Sequence, residues 1–308
     1  MTKASADADP VVRTRIAPRG TFRLAAARDF LGGFTPGRGT FGLTEDSLLL
    51  AFPVDGSDAS AAVALRQLAD GHLDLEIHGA ADPQVVTRQV ARVFSLDYDG
   101  SGFPEVGVRD PIIGEIQERF AFLRPVCFYS PYEAAVGAVV GQRISQRQAA
   151  AIRARLGREH GVLLTIGGVE LAAFPTPAVL ASLDSVPGLS AEKVERLHAV
   201  AAAALDGRLS ADHLRGLPPA EALAELRTIR GIGAWSAQHV LLRGAGLADE
   251  LPTEDRLSRE AVRVAYGLEE SPGDERFSAI AEAWRPFRMW VMVLLRVWLA
   301  RERSRAPR

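Results

Sequence analysis

Cysteine is nearly absent from this chain of 308 residues, which contains Cys127 alone. A single cysteine excludes a disulfide framework, a zinc site built on cysteine ligands and an iron–sulfur cluster held by cysteines. The six histidines show no H-E-x-x-H or similar metal-binding spacing either. The sequence therefore indicates a protein without a tightly bound transition metal, and we expect Cys127 to be a core residue.

Long apolar runs and an excess of positive charge are missing as well. No segment offers about eighteen uncharged apolar residues in a row, so no membrane span is predicted. Residues 1–10 lack the apolar stretch of a secretory signal, and we expect them to form a disordered tail of a cytoplasmic protein. The formal net charge of −2 gives no overall attraction to nucleic acid, so any DNA contact has to be local.

Lysine is scarce too, because only Lys3 and Lys193 are lysines among the 36 basic residues. Enzymes that form a Schiff base with their substrate need an amine. Lys193 lies on a predicted helix, where we expect a solvated surface residue. Covalent chemistry through an amine is therefore not expected.

Short apolar segments separated by glycine, proline and aspartate fill the first hundred residues, a pattern typical of strands. An Ala-Asp-Gly sequence between two of them predicts a hairpin turn. Asp82 and Pro83 predict the start of a helix. We therefore predict an antiparallel sheet with at least one helix against it, forming an α+β domain over residues 11–108. The predicted strands cover residues 12–16, 21–24, 47–52, 62–68 and 72–78.

From residue 109 onward the apolar period is helical, and an all-α domain is predicted over residues 109–308. Two capping boxes are predicted, one from Ser130 to Glu133 and one from Ser145 to Gln148. A helix opened by Ser190 is predicted to bury Val194, Leu197, Ala201 and Leu205. Further helices are predicted over residues 221–229, 234–243, 254–266 and 286–301.

Two of these helices are separated only by Arg230-Gly231-Ile232-Gly233. So tight a turn needs residues that can take positive φ, which glycine supplies, and Ile232 can plug the gap between the helices. The free N–H groups at the start of the next helix then point out beside the glycines, with the Ser236 hydroxyl nearby. That is an arrangement suited to a phosphate.

About twenty residues later, a Pro-Thr-Glu-Asp sequence places acidic residues at the start of another helix. Thr253 is the predicted N-cap, which puts Asp255 in the first turn, where the helix dipole favours a negative charge.

This stretch resembles the helix-hairpin-helix, with its downstream aspartate, of a superfamily of DNA glycosylases. The sequence is similar in particular to the 3-methyladenine DNA glycosylase II (AlkA-type) branch, in which an N-terminal domain like half of the TATA-binding protein precedes the helical part. The supporting segments are residues 140–145 (VGQRIS), 174–177 (FPTP), 284–288 (WRPFR) and, in the first domain, 92–97 (RVFSLD).

The resemblance implies a role for each matching position. Asp255 would be the catalytic carboxylate, and Arg143 would be the wedge that fills the vacated base stack. The base pocket would contain Trp235, His239, Gln142 and Arg296. Gly231, Gly233 and Ser236 would bind the DNA backbone, and the backbone carbonyls of Arg227, Ile229 and Ile232 would hold a monovalent cation, Na⁺ or K⁺. No other cofactor is implied.

Three positions depart from the branch. His239 stands where an aromatic residue is expected, Arg143 replaces an apolar wedge, and an ungapped match puts Arg296 where relatives have a pocket tryptophan. The bifunctional relatives carry their lysine where this chain has Trp235.

We therefore predict a monomeric, nucleoid-associated enzyme that acts on double-stranded DNA containing damaged bases. It would excise alkylated bases of the 3-methyladenine and 7-methylguanine class and leave an abasic site. One alternative is a non-catalytic helix-hairpin-helix DNA-binding protein, and another is a glycosylase for neutral lesions such as hypoxanthine or ethenoadenine. A bifunctional oxidised-purine glycosylase and a small-molecule binding protein are disfavoured.

Overall fold

A computed structural model describes residues 11–33 and 41–305 of the chain, so the predicted tail at residues 1–10 lies outside the described residues. Its first region contains a five-stranded antiparallel sheet with the strand order β1-β5-β4-β3-β2. The strands are β1 (Val12–Ile16), β2 (Phe41–Leu43), β3 (Leu48–Pro53), β4 (Ser60–Gln67) and β5 (Leu73–His78).

Fourteen α-helices are present in the described part of the chain, and most of them follow the sheet. The predicted α+β class is therefore confirmed. The helices are α1 (Leu24–Gly33), α2 (Pro83–Val93), α3 (Phe103–Arg109), α4 (Pro111–Arg119), α5 (Pro131–Gly141), α6 (Gln146–His160), α7 (Pro177–Ala181), α8 (Ala191–Leu205), α9 (Ala211–Gly216), α10 (Pro219–Arg227), α11 (Ala234–His239), α12 (Arg256–Ala265), α13 (Asp274–Ala281) and α14 (Arg288–Arg305). None of the helices among these described residues is long and apolar enough to cross a membrane.

Helix α2 covers one face of the sheet, as the sequence predicts. The Asp82 carboxylate accepts a hydrogen bond from the Gln84 N–H at 2.8 Å and so caps the helix. Val86 and Val90 of α2 are fully buried in one cluster with the inward-facing side chains of the strands, Leu75 among them. Burial alternates strictly along β5, which is the mark of a strand with one face in the core.

The predicted strand at residues 21–24 is wrong, because Leu24 begins helix α1. The Gln67 side chain forms hydrogen bonds with backbone N–H and C=O groups of this segment, which would bind a neighbouring strand if the segment were itself a strand. Its carbonyl oxygen accepts from the Leu24 N–H at 2.8 Å, and its amide donates to the Phe22 carbonyl at 3.1 Å.

A two-stranded hairpin, β6 (Leu163–Ile166) and β7 (Val169–Ala172), interrupts the helices of the second region. The prediction that residues 109–308 contain only helices is therefore wrong. Leu164, Ile166 and Leu171 pack against Leu49 and Ala51, on the face of the sheet opposite α2. Because both faces of the sheet are covered there, β3 is buried throughout. The domain boundary near residue 108 stays a prediction.

Two local predictions need further correction. Leu205 at the end of α8 is exposed and not buried. Ser130 caps α5 by accepting from the Glu133 N–H at 3.1 Å, but the Glu133 carboxylate binds Arg153 instead of closing a capping box. The capping box of Ser145 and Gln148 on α6 is present with both of its hydrogen bonds.

Candidate DNA-binding and catalytic site

Helices α10 and α11 form the predicted hairpin, with the turn at residues 228–233 between them. Ile232 is buried in the helical core and plugs the gap between the two helices. After His239 the helix widens into a π-helical turn, Val240–Gly244, which is closed by the Ala245 N–H donating to the Val240 carbonyl at 2.9 Å. Gly244 packs directly on the backbone of Pro131, so the start of α5 supports the hairpin from behind.

The two glycines of the turn differ in their backbone conformation and in the space around them. Gly231 has φ +94°, and a Cβ there would lie within 3.0 Å of the Arg196 side chain on α8. Gly233 has φ −89° and ψ −174°, an extended backbone that any residue adopts, so the predicted need for positive φ is wrong at this position. A Cβ on Gly233 would have no described atom within 4 Å. The missing side chain at Gly233 therefore leaves space on the surface of the free protein.

The N-terminal end of α11 has no side-chain cap among the described residues. Its first N–H groups therefore have no partner within the helix and are available to an external acceptor. Trp235, in the same turn, is 45% exposed, which argues against a purely structural core role. Ser236 is buried, which argues against the predicted contact of its hydroxyl with a phosphate.

Asp255 is the N-cap of α12, and Thr253 is not, which corrects the predicted cap. Its carboxylate accepts from the Leu257 N–H at 3.1 Å, from the Ser258 hydroxyl at 2.7 Å and from the Arg296 guanidinium. The Asp255 side chain is 19% exposed, so one part of it still faces solvent. Ser258, three residues after Asp255, was missed in the sequence, although a serine at that distance from an N-cap aspartate is a recognisable signal.

Gln238 connects the hairpin to the start of α12, a role that the sequence did not predict. It lies one turn beyond Trp235 on α11. Its amide nitrogen donates to the Thr253 hydroxyl at 2.7 Å, and its amide oxygen accepts from the Glu254 N–H at 2.9 Å. These two bonds engage Thr253 and hold Asp255 on the side of the hairpin that carries Trp235.

His239 lies between two aromatic rings. It stacks on Trp235 with the ring centroids 4.9 Å apart and an interplanar angle of 11°, and it meets Phe128 edge to face at 5.2 Å. Burial lowers the pKa of His239 to about 3, and the positive charge of Arg243 acts in the same direction. His239 is therefore neutral near pH 7, and it cannot serve there as a protonated general acid.

Arg296 of α14 reaches the same site, as the side-chain ion pair with Asp255 shows. It is 38% exposed and not a buried pocket wall. Its charge and that of Asp255 both act on the pKa of His239, in opposite directions. The structure therefore brings Asp255, Arg296, His239 and Trp235 together.

Gln142 lies in the turn between α5 and α6, beside the hairpin turn. Its side-chain amide donates to the Gly231 carbonyl at 2.8 Å, and its amide oxygen accepts from Arg196. The amide that was predicted to line the base pocket is therefore engaged by the hairpin. Arg143, the next residue, is exposed and has φ +57°.

Lys193 is not the solvated residue that the sequence predicts. Its ammonium donates to the carbonyls of Val140 and Gln142 at 2.9 and 2.6 Å, at the C-terminal end of α5. Desolvation, followed by the charge of Arg196, lowers its pKa. Cys127 is buried as expected, and burial raises the pKa of its thiol.

Side-chain clusters of histidine, cysteine, aspartate or glutamate that could hold a metal ion are not found in residues 11–33 and 41–305. At the hairpin, the Ile229 carbonyl accepts from the Ile232 N–H at 3.0 Å. A carbonyl oxygen has a second lone pair, so this bond leaves room for a further ligand.

Comparison with known proteins gives similarity to DNA glycosylases in both sequence and fold, while no protein-family model matches the chain. DNA-3-methyladenine glycosylase 2 of Escherichia coli is 31% identical over 173 residues, which is 54% of this chain and 56% of the relative. DNA-3-methyladenine glycosylase of Bacillus subtilis is 23% identical over 218 residues, or 68% of this chain and 71% of the relative.

Among solved structures, the 3-methyladenine DNA-glycosylase from Archaeoglobus fulgidus matches with a TM-score of 0.75 and 22% identity. The match covers 92% of this chain and 98% of that one, so the two share their fold over nearly their whole lengths.

Proposed function

We propose that the chain, which is similar to 3-methyladenine DNA glycosylases in sequence and in fold, binds damaged double-stranded DNA and excises alkylated bases without cutting the strand. The observation that carries the proposal is the position of Asp255. Gln238 holds Thr253 and Glu254, directly before Asp255, against the hairpin. The Asp255 charge acts on His239, which stacks on the exposed Trp235.

Recognition would begin at the hairpin, where the uncapped start of α11 and the space beside Gly233 accommodate a phosphate. A damaged nucleotide then has to leave the stack, which costs a few kcal/mol and costs least for a weakened pair. Arg143, exposed at the tip of its turn, would fill the vacated position with its planar guanidinium. Trp235 would offer one ring face to the flipped base.

Cleavage would break the bond between C1′ and the base nitrogen, with the bonding electrons leaving on the base. The sugar becomes positively charged in the transition state, and an ionised Asp255 close to it stabilises charge that is absent from the ground state. Water then adds to C1′ and loses a proton to the solvent, which completes the hydrolysis. The backbone N–H and hydroxyl on Asp255 belong to its own helix, so they can persist during the reaction, whereas Arg296 lies on a separate helix.

The state of His239 supports alkylated purines as substrates. Alkylation at a ring nitrogen makes the base cationic and a good leaving group, and a cation can stack on an indole with about 0.5–2 kcal/mol of attraction. His239 beneath Trp235 is neutral near pH 7, so it does not repel such a base.

Arg296 supports a second candidate, a glycosylase for neutral lesions such as hypoxanthine or ethenoadenine. A guanidinium beside Asp255 disfavours a cationic base and can donate a hydrogen bond to a neutral one.

A Schiff base is not part of the proposal. Trp235 occupies the position of the lyase lysine in bifunctional relatives, and the Lys193 ammonium is committed to two carbonyls. The monovalent cation at the carbonyls of Arg227, Ile229 and Ile232 also stays a proposal, since neutral oxygen ligands suit Na⁺ or K⁺. We expect a monomer.

The test is to incubate the protein with methylated duplex DNA and with duplexes containing hypoxanthine, and to identify the released bases by chromatography. We expect 3-methyladenine and 7-methylguanine, intact strands that break only on heating with alkali, and no covalent complex on borohydride treatment. Release of hypoxanthine without methylpurines would favour the second candidate. Binding to abasic DNA without release of any base would leave only the non-catalytic DNA-binding alternative.

A further inference from the structure

The turn between α5 and α6 carries a backbone conformation that arginine rarely adopts. Arg143 has φ +57°, in the left-handed region that disfavours side chains with a Cβ. Such a conformation persists only where the surroundings impose it, and it is found most often at functional sites. The neighbouring contacts show what imposes it here.

Gln142, directly before Arg143, is held at both its backbone and its side chain. Lys193 donates to the Gln142 carbonyl at 2.6 Å and to the Val140 carbonyl at 2.9 Å. The Gln142 side chain in turn donates to the Gly231 carbonyl at 2.8 Å and accepts from Arg196. The turn is therefore attached to α8 and to the hairpin at once.

Arg196 fits against the hairpin because Gly231 has no side chain. Its carbon atoms lie within 3.0 Å of the place where a Cβ on Gly231 would stand. Its guanidinium reaches Gln142 and the Glu192 carboxylate, which fixes the orientation of the planar group. We call Gln142, Lys193 and Arg196 the brace. It connects the Arg143 turn to the Gly231 turn through hydrogen bonds, three of which are donated by the positively charged groups of Lys193 and Arg196.

We propose that the brace holds the Arg143 turn at a fixed position relative to the hairpin, so that the backbone contact at Gly231 and the insertion of Arg143 into the base stack are made together. Lys193 and Arg196 are positioning residues in this scheme and act through Arg143. The inference rests on the proposed function for the role of Arg143, and it goes beyond it by assigning residues that the DNA need not touch.

The test uses the full chain and a duplex with a tetrahydrofuran abasic-site analogue that faces 2-aminopurine. Insertion of Arg143 beside the 2-aminopurine changes its fluorescence, and no excision is needed. We expect Arg143→Ala to abolish the change. Arg196→Met and Lys193→Met should each slow it about tenfold or more, because they remove one and two hydrogen bonds from a charged group to the turn. Binding to an undamaged duplex should change by less than about threefold, because the hairpin itself is intact.

The conservative variants and the double variant separate positioning from general damage. Arg196→Lys and Lys193→Arg keep the charge and should restore most of the rate. In the Arg143→Ala background, Arg196→Met should cause no further loss of affinity for the abasic-site duplex, because the brace acts through Arg143. Arg109→Met serves as the matched control, since Arg109 also donates to two backbone carbonyls, those of Ala283 and Arg285. It should match the wild type.

Two outcomes would overturn the brace: equal losses on damaged and undamaged duplexes, or additive losses in the double variant. If the thermal transition shows that Lys193→Met does not fold, the Arg196 variants alone test the brace. Wild-type excision, measured in parallel on methylated DNA, separates the two claims. A fluorescence change without excision would contradict the proposed function but not the brace. Excision together with additive losses would contradict the brace but not the proposed function.

Discussion

Two carboxylate–arginine pairs in this molecule have opposite surroundings. Asp255 and Arg296 have side chains 19% and 38% exposed, and Asp255 accepts two further hydrogen bonds from its own helix. Glu133 of α5 and Arg153 of α6 are 1% and 7% exposed, with their contact atoms 3.1 Å apart. The Arg153 guanidinium lies over the rings of Phe128 and Phe174. One pair is open to a substrate, and the other is sealed in the core.

The buried pair is also incompletely hydrogen-bonded. One Glu133 oxygen and two Arg153 nitrogens are buried without a hydrogen-bond partner among the described atoms. Burial raises the pKa of Glu133, and the charge of Arg153 opposes this rise. The difference in exposure determines what each ion pair can do. An exposed pair can be separated by a ligand at small cost, whereas a buried pair can only act on the structure around it.

The largest expected effect separates the two carboxylates by activity. Asp255→Asn should lower kcat for base release by about a thousandfold, because its charge stabilises the transition state and not the ground state. Binding to an abasic-site analogue should stay near the wild-type level. Glu254→Gln removes the adjacent exposed carboxylate and is the control. If Glu254→Gln lost as much activity as Asp255→Asn, the catalytic role assigned to Asp255 would be wrong.

The second prediction separates the two pairs by stability. Arg153→Met leaves Glu133 buried without its partner and should lower the free energy of unfolding by about 3–5 kcal/mol. Replacing both residues, in Glu133→Gln with Arg153→Met, should recover part of this loss, because no buried charge remains. Urea unfolding of the single and double variants measures both effects. A double variant less stable than Arg153→Met would mean that the pair itself is strongly stabilising.

A third prediction concerns pH and the neutral His239 beside the exposed pair. Its folded pKa of about 3 lies below the ordinary 6.5, so between these values the unfolded chain binds a proton that the fold does not. Stability is therefore complete above pH 6.5 and falls as the pH is lowered through this range. Between pH 8 and pH 5 the wild type should lose about 2 kcal/mol more than His239→Phe. Equal losses in the two proteins would show that His239 does not titrate in this way.

The smallest effect should come from Arg296→Met. Removing the exposed guanidinium should shift the preference toward cationic bases, raising the ratio of 7-methylguanine to hypoxanthine release by about five- to tenfold, or ~1 kcal/mol. Arg303→Met is the matched control, because Arg303 lies on the same helix and pairs with Glu260 at 3.2 Å. An unchanged ratio would remove Arg296 from the choice of base.

The sequence predicted the hairpin, and a helix start within two residues of Asp255, because both are local. Glycines, an N-cap and an apolar period of 3.6 act over a few residues, and the errors there were one or two positions. The β6–β7 hairpin was missed because its apolar side chains are buried by a sheet more than a hundred residues away in sequence. The contacts of Gln238 and Lys193, and the pairing of Arg296 with Asp255, were missed for the same reason, since each depends on a distant partner.

The dependence on residues distant in sequence also explains why the environments of the predicted pocket residues were not foreseen. The resemblance placed Gln142 in the base pocket by sequence position, but its amide is engaged by Gly231 and Arg196 in the free protein. The pKa of His239 could not be read from the sequence either, because it depends on burial and on the charges of Arg243, Asp255 and Arg296.

Gly233 has a consequence for anyone who tries to stabilise this protein. It is the N-cap of α11, with ordinary dihedral angles and empty space around it, so a serine would fit and its hydroxyl would cap the helix. A search guided by thermostability alone would therefore select serine at this position. Yet that hydroxyl would compete for the same N–H groups that a DNA phosphate needs. In the proposed complex, the N–H groups at the start of α11 serve either a cap that stabilises the helix or a phosphate that binds the protein to DNA, so a gain in thermal stability at this position comes with a loss of DNA affinity.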